Sequence, residues 1–176
     1  MKLKSGKLAA VIGSSRSGKS QYVNSQIRAE PRVMIWDIKG EYTGIPRATN
    51  RAELIAMVKR RAPKIVYTPN FIADFDYFCK SAQVWVKSNC LAGNRTVLVF
   101  EETADVTSPA KAPESYGIIL RRFLSYGVDI YAITQRPAES DKTAVGNASI
   151  VRICRMQLDR DRKAVARDTG IPLSAI

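Results

Sequence analysis

The chain has 176 residues, 45% of them hydrophobic and 25% charged, the mix of one compact domain that buries a sizeable core without disulfides or a structural metal, so a peptide-like or disordered chain is excluded. Its 28 Lys and Arg against 16 Asp and Glu leave a formal charge of +12, which points to a polyanionic partner, nucleic acid before a membrane surface. It contains no histidine, which excludes imidazole as base, relay or metal ligand, and with it Ser-His-Asp chemistry and histidine-dependent zinc sites.

Periodicity predicts alternating strands and helices, the order of a mostly parallel sheet covered on both faces. Strands are predicted near residues 7–12, 32–37, 64–68, 96–101, 128–134 and 150–156, and helices near 18–29, 51–61, 74–90, 114–126 and 160–169. The first and fourth strands, Leu8-Ala9-Ala10-Val11-Ile12 and Thr96-Val97-Leu98-Val99-Phe100, are continuous apolar runs and are expected at the centre of the sheet. Asp74 is placed to cap the third helix, whose Phe75, Phe78, Val84 and Trp85 are expected in the core. The stretch from Thr103 to Ser115, broken by Pro109 and Pro113, reads as a long loop after the fourth strand. Cys79, Cys90 and Cys154 form no C-x-x-C pair and read as reduced thiols of a reducing compartment. No apolar run reaches the roughly 18 residues of a membrane span, and no leader or second-domain linker is legible, so residues 1–176 are expected to form a single domain without membrane insertion.

Chemistry concentrates at three stations. Gly13-Ser14-Ser15-Arg16-Ser17-Gly18-Lys19-Ser20 fits G-x-x-x-x-G-K-[ST] between a predicted strand and a predicted helix, where glycines let backbone N–H groups and the helix N-terminus cradle phosphates. Lys19 is expected at the β- and γ-phosphates, the Ser20 hydroxyl on Mg²⁺, and Gln21 in the first helical turn beside them. The fourth strand ends in Glu101-Glu102, at a spacing suited to a strand neighbouring the phosphate loop. Glu101 is assigned to Mg²⁺, directly or through water, and Glu102 to the water that attacks the γ-phosphate. The fifth predicted strand finishes in Thr134-Gln135-Arg136-Pro137, where the Gln135 amide can bridge the γ-phosphate or the attacking water to a neighbouring group.

Together the three stations resemble the FtsK/HerA group of P-loop motor ATPases, with a Walker A, a Walker B followed by glutamate, and a T-Q-R-P strand end. Ile35 to Tyr42 resembles the family's D-x-x-G-E-Y segment, Glu102-Thr103-Ala104-Asp105 its D-E-x-A-D, and Asn147 to Asp161 its closing N-x-x-x-R-I strand. One departure is Glu101 where the family carries aspartate. The resemblance implies an α/β, RecA-like (ASCE) three-layer sandwich, ATP with Mg²⁺ as the hydrolysed species, and a ring, usually hexameric, completed by an arginine from the next subunit. Arg152 matches the R-I strand and is favoured for that part, with Arg122 next. In lacking a barrel, a membrane region and a winged helix, the chain is similar within the group to genome-packaging ATPases of tailless, membrane-containing double-stranded DNA viruses. That similarity implies an ATP-driven translocase gripping DNA phosphates irrespective of sequence, located in the host cytoplasm or at a virion vertex, where vertex or membrane proteins would be further partners. The Thr103–Ser115 loop with Lys111, and the basic run from Arg152 to Arg167, are the expected DNA contacts. The competing readings are a filamentous-phage, zonula-occludens-toxin-like assembly ATPase, whose G-x-D-I-x-x-x-T-Q strand Gly127 to Gln135 also resembles, a monomeric P-loop kinase, and a basic nucleic-acid-binding protein without hydrolysis.

Overall fold

The computed structural model describes residues 3–176. Seven strands, β1 (Leu8–Ile12), β2 (Val33–Trp36), β3 (Arg47–Ala48), β4 (Lys64–Tyr67), β5 (Thr96–Phe100), β6 (Val128–Thr134) and β7 (Ile150–Ile153), form one sheet in the order β3-β4-β2-β5-β6-β1-β7. Every pairing is parallel. The helices are α1 (Lys19–Ile27), α2 (Arg51–Lys59), α3 (Phe75–Leu91), α4 (Glu114–Arg122), α5 (Thr143–Gly146) and α6 (Asp159–Thr169).

The strands without polar alternation are the ones covered on both sides: β1, β2 and β5 are buried along their whole length. At the sheet edge β7 alternates exposed and half-buried residues, as a strand with one free side does. The core divides by face. Leu8, Trp36, Tyr67, Leu98, Phe100 and Ile130 meet α2, α3 and α4 on one side. Ala9, Val11, Ile35, Val99 and Ile133 meet Val23 and Ile27 of α1 on the other. The thicker layer is held by interlocking aromatics, with Trp36 5.0 Å from Phe75 and Phe100 5.0 Å from Tyr116, geometries that add to simple burial.

This is the expected α/β three-layer arrangement, with several corrections. β5, the Glu101–Glu102 strand, does not neighbour β1, because β6 lies between them. The two-residue β3 and the single-turn α5 are too short to leave a periodic signal. Asp74 ends in helical backbone with no capping bond, since Arg51 and the Tyr67 hydroxyl take its carboxylate instead. Val84 faces solvent while Phe75, Phe78 and Trp85 are buried. The 103–115 segment is not all loop: it opens with a 3-10 turn, Thr103–Asp105, and its last two residues begin α4. No helix among the described residues is long and apolar enough to cross a membrane.

Candidate active site

Parallel pairing brings three strand ends to one level. Ile12 is in register with Thr134, and Phe100 with Ala132, so Gly13, Glu101 and Gln135 all emerge at the carboxyl edge of the sheet, where open α/β sheets bind ligands. The Gly13 amide extends the ladder by donating to the Thr134 carbonyl at 3.2 Å. From there the loop turns through Arg16, left-handed at φ 57°, and Gly18 at φ 91°, into the first turn of α1. Gly13 has no room for a side chain, since a Cβ would sit 2.7 Å from Cys154 Cβ and from Ser17 Oγ.

A polar cavity of about 310 Å³ lies over this loop, walled by Ser15 to Gln21, Lys39, Glu41, Glu101 and Gln135. The phosphate-loop residues and the ends of β5 and β6 are therefore brought together. Ser14 faces a smaller neighbouring depression shared with Gln135, Arg136 and Gln157. A larger, open and mostly apolar depression of about 510 Å³ between the start of α3 and residues 105–113 contains none of the phosphate-loop residues.

Lys19 is buried and its ammonium donates to the Ser14 carbonyl at 2.8 Å. Burial lowers its pKa, against the pull of the Glu102 and Glu101 carboxylates. Both glutamates thus act on this lysine, although neighbours on a regular strand would face opposite ways. The alternation breaks because Glu102 takes a left-handed conformation, φ 49°, the kind of backbone strain that a site retains.

The two carboxylates are held differently. Glu102 Oε1 accepts the Gln135 backbone N–H at 3.0 Å and Oε2 accepts the Lys39 ammonium at 2.7 Å. Burial works against the Lys39 charge, but the hydrogen bond and charge of Glu102 outweigh it and hold the Lys39 pKa above its usual value. Glu101 accepts the Tyr42 hydroxyl at 2.7 Å. Burial pushes its pKa to about 6; the bond from Tyr42 opposes this and the nearby Glu41 charge adds to it. Burial and the Glu101 carboxylate together push the Tyr42 phenol well above its ordinary range.

Lys39, Glu41 and Tyr42 receive no individual role from the sequence, although the segment carrying them resembles a family pattern. Asp37 organises it. Wholly buried at the end of β2, its carboxylate accepts the Glu41 and Tyr42 backbone N–H groups at 3.0 Å each and faces Arg47 at 3.3 Å. The resulting turn delivers Glu41 to the Ser20 hydroxyl, which donates to its Oε2 at 2.7 Å. Ser20, Glu41 and Glu101 form an all-oxygen donor set of the type that suits Mg²⁺. The arginines favoured from the sequence lie outside the cavity. Arg152 on β7 rests over the Tyr22 ring at 5.4 Å, and Arg122 ends α4, which returns toward the opposite edge of the sheet.

No family model matches the chain. It is 32% identical over 140 residues to Protein P9 of Pseudoalteromonas phage PM2, a match covering 77% of this chain and 62% of that relative, less than two thirds of its length. In structure it is similar to the genome-packaging NTPase B204 of Sulfolobus turreted icosahedral virus 2 in complex with AMPPCP, with a TM-score of 0.76 at 15% identity over 97% of this chain and 86% of that one. It also resembles EssC ATPases 2 and 3 from Geobacillus thermodenitrificans, with a TM-score of 0.57 at 13% identity over 90% of this chain and 34% of that one. The chain has the fold of the genome-packaging NTPase B204.

Proposed function

We propose that the chain is a Mg²⁺-dependent ATPase that works as an oligomeric ring, of hexameric type, to drive double-stranded DNA into a viral capsid. The carrying observation is the convergence of Lys19, Ser20, Glu101, Glu102 and Gln135 on one polar cavity and its immediate wall. Similarity to a phage protein and to the fold of a packaging NTPase supports the biological setting, host cytoplasm or virion vertex. Residues 3–176 contribute one continuous sheet to this reading, a single motor unit.

In this mechanism the backbone N–H groups of residues 15–20 at the start of α1 bind the β- and γ-phosphates, and Lys19 leaves the Ser14 carbonyl to join them. Ser20 and Glu101, with Glu41 beside them, would hold Mg²⁺, whose charge would offset that of the phosphate oxygens. Water attacks the γ-phosphorus in line, its proton passes to Glu102, and the bond to the β–γ bridging oxygen breaks to release ADP. Gln135 places its amide beside that water. Lys39 and the Gln135 N–H each take one lone pair of the Glu102 oxygens, leaving a second lone pair on each oxygen for the incoming proton, and the incoming γ-phosphate is a competing anion for Lys39.

The test is steady-state ATPase rate against protein concentration, with and without a DNA duplex. Cooperative onset and stimulation by the duplex are expected. A flat specific activity indifferent to DNA overturns the ring-motor reading, and phosphate transfer to nucleosides by a monomer would replace it with a kinase.

A further inference from the structure

The basic excess is not spread evenly. Where strands all run one way, the sheet has two chemically distinct edges, and the edge opposite the cavity gathers strand beginnings and helix ends. At the β2–β4 corner of that edge stand Arg28, Arg32, Lys59, Arg60, Arg61 and Lys64, with Glu30 as the one acid in the same segments. Arg28 closes α1 on one face of the sheet, and Lys59 and Arg60 close α2 on the other. Arg32 precedes β2 and Lys64 opens β4, the latter in register with Val33. Arg32 reaches across to the Arg61 carbonyl at 3.5 Å, so the two halves are contiguous.

Three observations separate this corner from an ordinary solvated surface. Among the described residues none of the six makes an ion pair, whereas the basic residues of α6 pair with Asp159 and Asp168 and Arg160 pairs with Glu139. Cations at helix ends complement the helix dipole, which accounts for Arg28, Lys59 and Arg60 but not for Arg32, just before β2, or Lys64, which opens β4. Finally, α2 ends in a Schellman turn, with Ala62 N–H bonded to the Met57 carbonyl and Arg61 N–H to the Val58 carbonyl. Its left-handed position, usually glycine, holds Arg61 at φ 54°. Among the described residues, the other two non-glycine residues with positive φ, Arg16 and Glu102, both belong to the proposed nucleotide site.

We infer that this corner is a phosphate-backbone contact for double-stranded DNA, on the face of the subunit opposite the ATP cavity. The inference rests on the DNA reading above and relocates the contact from the loop and C-terminal run favoured by sequence. Four of the six are arginines, whose forked donors fit phosphate oxygens. Membrane-surface binding ordinarily adds apolar anchors to basic residues, and none of the exposed large hydrophobic residues lies in these segments.

The experiment measures fluorescence anisotropy of a labelled duplex of about 30 base pairs, sized to exceed one subunit's footprint, across a salt series. Every phosphate that the protein no longer neutralises takes about 0.9 off the slope of log K against log salt. The variant Arg60→Gln/Arg61→Gln/Lys64→Gln should lower that slope by about 2 to 3, while Arg155→Gln/Arg160→Gln/Lys163→Gln, with the same charge removed at the other edge, should leave it unchanged. Should the triple variant fail to fold, Arg60→Gln/Lys64→Gln leaves the Arg61 turn intact and should lower the slope by about 2. Wild-type binding with a slope untouched by the corner variants overturns this surface and leaves DNA binding standing. Wild type that ignores the duplex at low salt removes the DNA reading itself, and preferential binding to phosphatidylserine vesicles would assign the corner to lipid.

Discussion

At the scale of single residues, the pair Glu101–Glu102 divides into a carboxylate tuned by burial and one clamped by hydrogen bonds. Glu102→Gln keeps the shape but cannot take a proton; nucleotide binding should persist while turnover falls by about 100-fold or more, measured as single-turnover ATP cleavage beside equilibrium binding of a fluorescent analogue. Turnover at the wild-type rate would remove Glu102 from its role. Glu101 makes a prediction of the opposite sort. Its pKa in the fold is raised from 4.5 to about 6, so between those values the folded chain binds more protons than the unfolded one. Stability of the nucleotide-free protein should therefore rise as pH falls from 7 through 6 toward 4.5, and the ionised side chain costs the fold about 2 kcal/mol at neutral pH. Glu101→Gln should gain about 1–2 kcal/mol at pH 7, flatten that pH dependence in urea denaturation, and weaken Mg²⁺-dependent nucleotide binding. With no histidine in the chain, no imidazole titration obscures the window.

At the scale of elements, the turn after β2 is an electrostatic construction around one buried carboxylate. Asp37→Ala leaves two backbone N–H groups and Arg47 without their acceptor and should destabilise by about 3–5 kcal/mol, measured by urea denaturation. Tyr42 and Glu41 would lose their positions with it, so nucleotide affinity should fall as well. A smaller change tests α2, where the Asn50 side chain accepts the Glu53 N–H at 2.9 Å; Asn50→Ala should cost about 1 kcal/mol. The same scale shows what was legible in the residues alone. Long apolar runs and the glycine-lysine-serine pattern announce β1, β5 and the phosphate loop, because burial on both faces and a phosphate cradle each leave a local composition. The insertion of β6 between β1 and β5 leaves none, since strand order is a property of pairing across the chain. Asp74 shows local propensity losing to tertiary contact: an apt capping residue is drawn instead to Arg51 and Tyr67. Lys39 is silent in the sequence for a similar reason, its partner Glu102 lying 63 residues away.

At the scale of the whole molecule, the cavity is lined on its own chain by Arg16, Lys19, Lys39, Glu41 and Glu101 among others, while Arg152 stands on the free edge strand outside it. If Arg152 completes a neighbour's site, Lys19→Ala subunits and Arg152→Ala subunits should each be inactive alone and recover activity when mixed, since some interfaces then join an intact loop to an intact arginine. Mixing that restores nothing, with mixed oligomers verified by mass, would exclude Arg152 from that part. The continuous parallel sheet has a mechanical consequence. A five-residue strand spans about 17 Å, and strands buried on both faces are close-packed and resist bending. In the ring proposed above, a sub-ångström adjustment at the phosphate loop would therefore reach the far rim by tilting the subunit as a rigid lever, and the proposed motor would deliver work as rotation of one protomer against the next.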